Sequence, residues 1–128
     1  MTEDYSYYAI LIAGLVPYVF TGFAKFGEGR SYDNHDPRAY LDKATGKHRR
    51  AHNAQLNSFE SFPLFAAGVI VAHAHLSATP DYTTLNGLAW SYIVIRLIYG
   101  WLYITDRAVM RSVVWALGIS VSMALFLI

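Results

Sequence analysis

Three sets of residues in this chain could do chemistry. Arg50, Asn53, Asn57 and Glu60 follow one another at intervals of three, four and three, so a helix carries them as one stripe. Tyr92, Arg96, Tyr99 and Tyr103 form a second stripe at intervals of four, three and four. Arg111, Ser112 and Trp115 stand near the start of the last apolar segment. Arginines in such company can bind carboxylates through two parallel hydrogen bonds, and an amide or phenol adds direction. The 128 residues contain no cysteine, so any thiol chemistry must use a thiol that a ligand brings.

The elements that must position these residues are unusually apolar. The chain is 55% hydrophobic, 16% aromatic and only 15% charged, and its mean hydropathy is +0.28. An ordinary soluble domain carries about a quarter charged residues. Four apolar segments fill most of the length: Tyr7 to Phe26, Phe59 to Leu76, Leu85 to Ile104 and Ala108 to Ile128. Each is near the roughly 20 residues that cross about 30 Å of hydrocarbon. They do not alternate as barrel strands would, and backbone in lipid must satisfy its own hydrogen bonds, so helices are expected. The fold expected is an all-α integral membrane bundle of four transmembrane helices in a single domain, residues 1–128. The helices are placed at about 6–27, 48–77, 82–104 and 108–128, the second beginning before its apolar run and rising into the membrane. Pro17 and Pro63 are expected to kink the first two, and Pro80 to mark the break between the second and third.

The connections set an orientation. The first, from Lys25 to Arg50, carries Lys25, Arg30, Arg38, Lys43, Lys47, Arg49 and Arg50. The second, SATPDY, carries no Lys or Arg, and the third carries Arg107 and Arg111. The positive-inside rule places the first and third connections in the cytoplasm and both termini on the other side, in the inner membrane if the cell is bacterial. The start, MTEDYSYY, lacks the basic region of a cleavable signal peptide. A net charge of +1 gives no general attraction to nucleic acid.

Ionisable groups at membrane depth each cost about 2.5 to 3.5 kcal/mol and mark function by default. Glu60 and Arg96 are therefore the leading pair, and three polar stripes near the cytoplasmic ends of three helices suggest one shared pocket or pockets between subunits. Structural readings stand beside this one. Arg50 and Arg111 can be interfacial anchors, Tyr99 and Tyr103 members of an aromatic belt, Asn57 a helix-to-helix tie, and Glu60 with Arg96 a structural ion pair. His48 and His52 are spaced to share a metal. The zinc-protease signature needs Glu after the first His, however, where Arg49 stands, and two adjacent arginines repel a cation, so no metal is expected. His73 and His75 point to different faces near the far surface. The chain has no glycine-rich phosphate loop and no serine nucleophile elbow.

The segment RAHNAQLNSFESFPLF, residues 50–65, resembles the second-helix signature of the membrane-associated proteins in eicosanoid and glutathione metabolism, the MAPEG family. RLIYGWLYITDRAVMRSVVW, residues 96–115, is similar in the same way, with Arg96, Tyr103, the Arg111-Ser112 pair and Trp115. NHDPRAYL, residues 34–41, looks like the family's approach to helix two. The resemblance covers nearly the whole chain. It implies a homotrimer with glutathione bound as co-substrate at subunit interfaces near the cytoplasmic face, and a lipophilic small molecule or lipid arriving from the membrane. By position in the motif, Arg50, Asn57, Glu60, Arg96, Tyr99 and Tyr103 would bind glutathione. Glu60 would take its ammonium or orient an arginine. Arg111 would favour the thiolate, with Ser112 donating a hydrogen bond to it. The activity implied is transfer of glutathione to lipophilic electrophiles, or reduction of hydroperoxides. Two departures stand out: Asn53 occupies the place of a family base, and Tyr99 that of a histidine. Lys25 and Arg30 both compete for the basic contact of the first helix. A non-catalytic lipid-binding member of the same family, or a small pore lined by Glu60 and Arg96, are the other functions these residues allow.

Overall fold

The computed structural model describes residues 3–26, 31–78 and 81–128, so Arg30 and Pro80 lie outside the described residues. Among the described residues five helices follow in order: α1 Ser6–Lys25, α2 Pro37–Asp42, α3 Gly46–Leu76, α4 Thr83–Ile104 and α5 Ala108–Ala124. The short α2 is an addition to the four expected helices. Asp36 caps it by accepting from the Ala39 amide at 3.1 Å, and Pro37 supplies a helical φ at its first position. Thr45 is then extended and Gly46 takes a positive φ of 55°, which separates α2 from α3.

α1, α3 and α4 are long and apolar enough to cross a membrane. α3 has 31 residues, about 46 Å at 1.5 Å per residue. That exceeds the hydrocarbon thickness, so its basic first turns extend beyond it. α5, the fourth apolar helix, is shorter than expected. It has 17 residues and ends at Ala124 rather than at 128, because the last residues close in tight turns, Phe126 N–H to the Met123 carbonyl and Leu127 N–H to that of Ala124. Its length of about 25 Å stands at the lower end of what crosses a bilayer. Pro17 and Pro63, expected as kinks, both lie inside continuous helices.

α1 packs against α3 and α4, and α5 packs against α4 and α3. Small residues let the backbones approach: Ala9 and Ala13 of α1, Ala72 of α3 and Ala89 of α4 are all buried in one core with Phe65, Val69, Leu85 and Leu125. In that core Phe65 stacks on Tyr92 with ring centroids 3.9 Å apart, and the Tyr92 hydroxyl meets the Ser61 hydroxyl at 3.0 Å. The outside is apolar. Leu11, Leu15 and Phe23 of α1, Val94 and Leu97 of α4, and Val109, Val113 and Leu117 of α5 are exposed. Such a surface is stable against lipid, and the chain is an integral membrane protein by this composition and these helices.

The end that carries the N-terminus is tied by polar contacts. Asp4 accepts from the Ser6 amide and hydroxyl and from His73 Nδ1 at 2.6 Å. The His73 ring lies against Tyr7 and Tyr82, while His75 is exposed. Asn86 of α4 accepts from the Tyr5 amide and donates to the Glu3 carbonyl. Burial pushes the Asp4 carboxyl up, but the hydrogen bonds from Ser6 and the contact with His73 together hold it below its ordinary value. A carboxyl so lowered stabilises the folded chain above about pH 4, and the contribution is lost as pH falls through the folded value. Thermal stability is therefore expected to fall below about pH 4 in the wild type, and less steeply in Asp4→Asn. An unchanged acid limb in that variant would show that Asp4 is not its source.

Candidate functional site

Arg96, two turns before the end of α4, is 3% exposed. Its Nη2 donates to Asn57 Oδ1 and to Ser58 Oγ, both at 2.9 Å, which joins α4 to α3. Its guanidinium lies over the Tyr99 ring, 4.1 Å from the centroid. Tyr99, 4% exposed, meets Tyr103 edge to face at 5.7 Å. The Arg111 guanidinium of α5 covers the other ring, 4.2 Å from the Tyr103 centroid. The three sequence stripes thus meet as a continuous ladder: Asn57 and Ser58, Arg96, Tyr99, Tyr103, Arg111. Helical spacing aligns the α4 members, since residues three and four apart share a face.

The α4–α5 turn brings Arg111 back onto this ladder. The Asp106 amide donates to the Tyr103 carbonyl at 3.1 Å, and the Arg107 amide to that of Leu102 at 2.9 Å. These are the paired bonds of a Schellman ending, with Asp106 at φ 61° in the left-handed position usually held by glycine. Arg50 of α3 donates through Nε to the carbonyl of Ile104, the last residue of α4, at 3.0 Å.

The expected pairing of Glu60 with Arg96 is not formed among the described residues. Ser58 points into the bundle and is buried, while Glu60, two residues on and about 200° round the helix, is exposed. Arg96 takes the inward hydroxyl and the amide at the edge. No carboxylate is paired with it among the described residues, and its Nε has no hydrogen-bond partner there. Ser58 was missed because it lies off the Arg50-to-Glu60 stripe. The available signal was the run Ala51, Ala54, Ser58, Ser61, Phe65, whose helical spacing marks the inward face and places two hydroxyls on it.

The remaining candidates are placed as follows. Ser112 is exposed and its hydroxyl donates back to the Ala108 carbonyl at 3.1 Å. Tyr92 belongs to the core rather than to the ladder. Lys25 lines a groove with Tyr18, Arg38 and Gln55, and its ammonium sits over the Tyr32 ring at 4.8 Å. His48 Nδ1 donates to the Phe23 carbonyl at 2.7 Å, whereas His52 Nδ1 meets Gln55 Oε1 at 3.3 Å, so the two rings serve different neighbours. No group of three residues among those described could hold a metal ion.

The family model for MAPEG matches residues 5–128. The chain belongs to the MAPEG family. No curated protein and no solved structure matches it. Membership supports a membrane role in glutathione-related transfer or in eicosanoid metabolism in general. In this MAPEG protein the fold brings Asn57 on α3, Arg96 and Tyr103 on α4 and Arg111 on α5, which carried the resemblance, into one ladder with Tyr99, and leaves Glu60 and Ser112 exposed outside it.

Proposed function

We propose that this MAPEG protein is a membrane glutathione-dependent transferase or peroxidase acting on lipophilic electrophiles or hydroperoxides. The observation that carries this reading is the ladder from Asn57 to Arg111. It holds two guanidinium groups on tyrosine faces, and no carboxylate is paired with either among the described residues. Buried guanidinium without a counter-ion favours an anionic ligand, and glutathione brings two carboxylates and an ionisable thiol. Arg96 and Tyr99 would hold a carboxylate, with Asn57 orienting the arginine. Arg111 beside the sulfur would stabilise the thiolate, and Ser112 could rotate from Ala108 to donate to it. An apolar electrophile arriving from lipid would then meet an oriented nucleophile in a low-dielectric groove.

The exposed Glu60 supports a second copy. It lies ten residues beyond Arg50, about 15 Å along α3. Facing acyl chains there would cost about 2.5 to 3.5 kcal/mol. An adjoining subunit, as in a homotrimer, together with the ammonium of glutathione would cover it. One observation favours a non-catalytic lipid-binding role instead: the Ser112 hydroxyl is engaged by its own helix.

Calorimetry with purified protein tests the choice. Saturable glutathione binding is expected in the wild type, weakened about tenfold or more in Arg96→Lys and Glu60→Ala, since each loss of a charged contact is worth roughly 1.5 to 3 kcal/mol. No saturable binding to the wild type, with a co-purified lipid, would establish the lipid-binding role.

A further inference from the structure

Arg50 stands in the resemblance as a glutathione contact, but its place in the fold is different. Its Nε is 3.0 Å from the carbonyl of Ile104, the terminal residue of α4, whose carbonyl no later amide of that helix can reach. The next three residues form the reversal into α5, with Asp106 held at φ 61°, a conformation that costs a non-glycine residue roughly 1 kcal/mol or more. The Arg111 amide bonds the Arg107 carbonyl at 2.9 Å, so α5 starts directly from this reversal. Arg111 then lies over Tyr103, the residue immediately before Ile104. One guanidinium bonds the last carbonyl before the turn, and the other lies on the ring one residue earlier.

We propose that Arg50 is a positioning residue: it clamps the end of α4 through the Ile104 carbonyl, and the clamped turn sets where the Arg111 guanidinium sits. Its consequence for the bound thiol rests on the glutathione reading, but the clamp itself does not. The clamp depends on donor geometry rather than on charge. A glutamine side chain places an N–H donor at the same distance along the chain as arginine Nε, without the charge, and methionine keeps the apolar stem without a donor. A clamp therefore survives Arg50→Gln and fails in Arg50→Met. A direct charge-assisted contact to a ligand carboxylate is instead weakened in both.

The test compares the wild type, Arg50→Gln and Arg50→Met in lipid nanodiscs. Without ligand, exchange of the Asp106 and Arg107 amides is expected to accelerate by roughly tenfold in Arg50→Met and to stay near wild type in Arg50→Gln, with amides of the Asp4 end unchanged in all three. With glutathione added, the ultraviolet absorbance of bound thiolate, followed against pH, is expected to move to higher pH in Arg50→Met alone. Equal exchange in Arg50→Met and the wild type would overturn the proposal. So would an Arg50→Gln protein that behaves like Arg50→Met in both readouts. Absence of glutathione binding in the wild type would end the glutathione reading, while the exchange comparison would still decide the role of Arg50.

Discussion

Arg111→Ala is expected to lower thiol-dependent turnover of a lipophilic electrophile by about 100- to 1000-fold, the usual loss when one preorganised donor to a developing or reacting anion is removed. The expectation follows from where the side chain sits. Arg111 is half-buried in the first turn of α5, with its guanidinium on the Tyr103 face and no carboxylate paired with it among the described residues. A cation so placed is available to an incoming anion, and an opposite charge within reach lowers the pH at which a thiol ionises by roughly 1 to 3. The variant is expected to bind glutathione nearly as well as the wild type, because the proposed carboxylate contacts are Arg96 and Tyr99 rather than Arg111. Its rate should recover at higher pH, where the thiol ionises without help. The thermal stability should change little, since a partly exposed cation on an aromatic face contributes about 0.5 to 1 kcal/mol. Ser112→Ala should have a smaller effect, because the hydroxyl has to leave the Ala108 carbonyl before it can donate elsewhere. Full turnover in Arg111→Ala at neutral pH would remove the thiolate role from this residue.

The sequence was legible where charge and periodicity act together. Arg96, Tyr99 and Tyr103 had to share a face of α4, and the spacing of four and three says so without a structure. The partner of Arg96 was not legible. The stripe from Arg50 to Glu60 pointed to the carboxylate, yet the bundle turns Ser58 inward and leaves Glu60 outside, a choice made by which neighbouring helices α3 packs against. The role of Arg50 was hidden for a similar reason, because its partner is a backbone carbonyl 54 residues away that no side-chain pattern announces. The separate α2 depended on the capping of Asp36 and the positive φ of Gly46, whereas the motif around residues 34–41 suggested only an approach to the next helix. The last helix read as continuing to residue 128 from composition, since Leu125 to Ile128 are as apolar as the helix before them. Hydropathy does not report that the backbone closes in turns after Ala124.

The largest expected loss of stability comes from a single methyl group. A Cβ added at Gly100 would lie 1.9 Å from Phe20 Cζ and 2.1 Å from Phe20 Cε1, far inside contact distance. Phe20 is 3% exposed and packs with Val16 and Ala54, so its ring has no free space to retreat into. Gly100→Ala must therefore separate α1 from α4, and the cost is expected to be on the order of 3 kcal/mol, at the upper end for overpacked cores. The neighbours of Gly100 connect this to the site. Tyr99 directly precedes it and Tyr103 follows three residues later, so a displaced α4 also displaces the two rings that hold Arg96 and Arg111. Gly68→Ala should be milder, because its nearest contacts, Leu125 Cβ at 3.0 Å and the Ser122 carbonyl oxygen at 3.1 Å, need to give by only a few tenths of an ångström. A double-mutant cycle separates the steric cause from a general intolerance of α4. Phe20→Leu removes the offending ring atoms, so Gly100→Ala should cost much less in that background, and the coupling between the two substitutions should exceed 1 kcal/mol. Additive losses of thermal stability in the cycle would mean that the Phe20 ring is not what requires glycine at position 100.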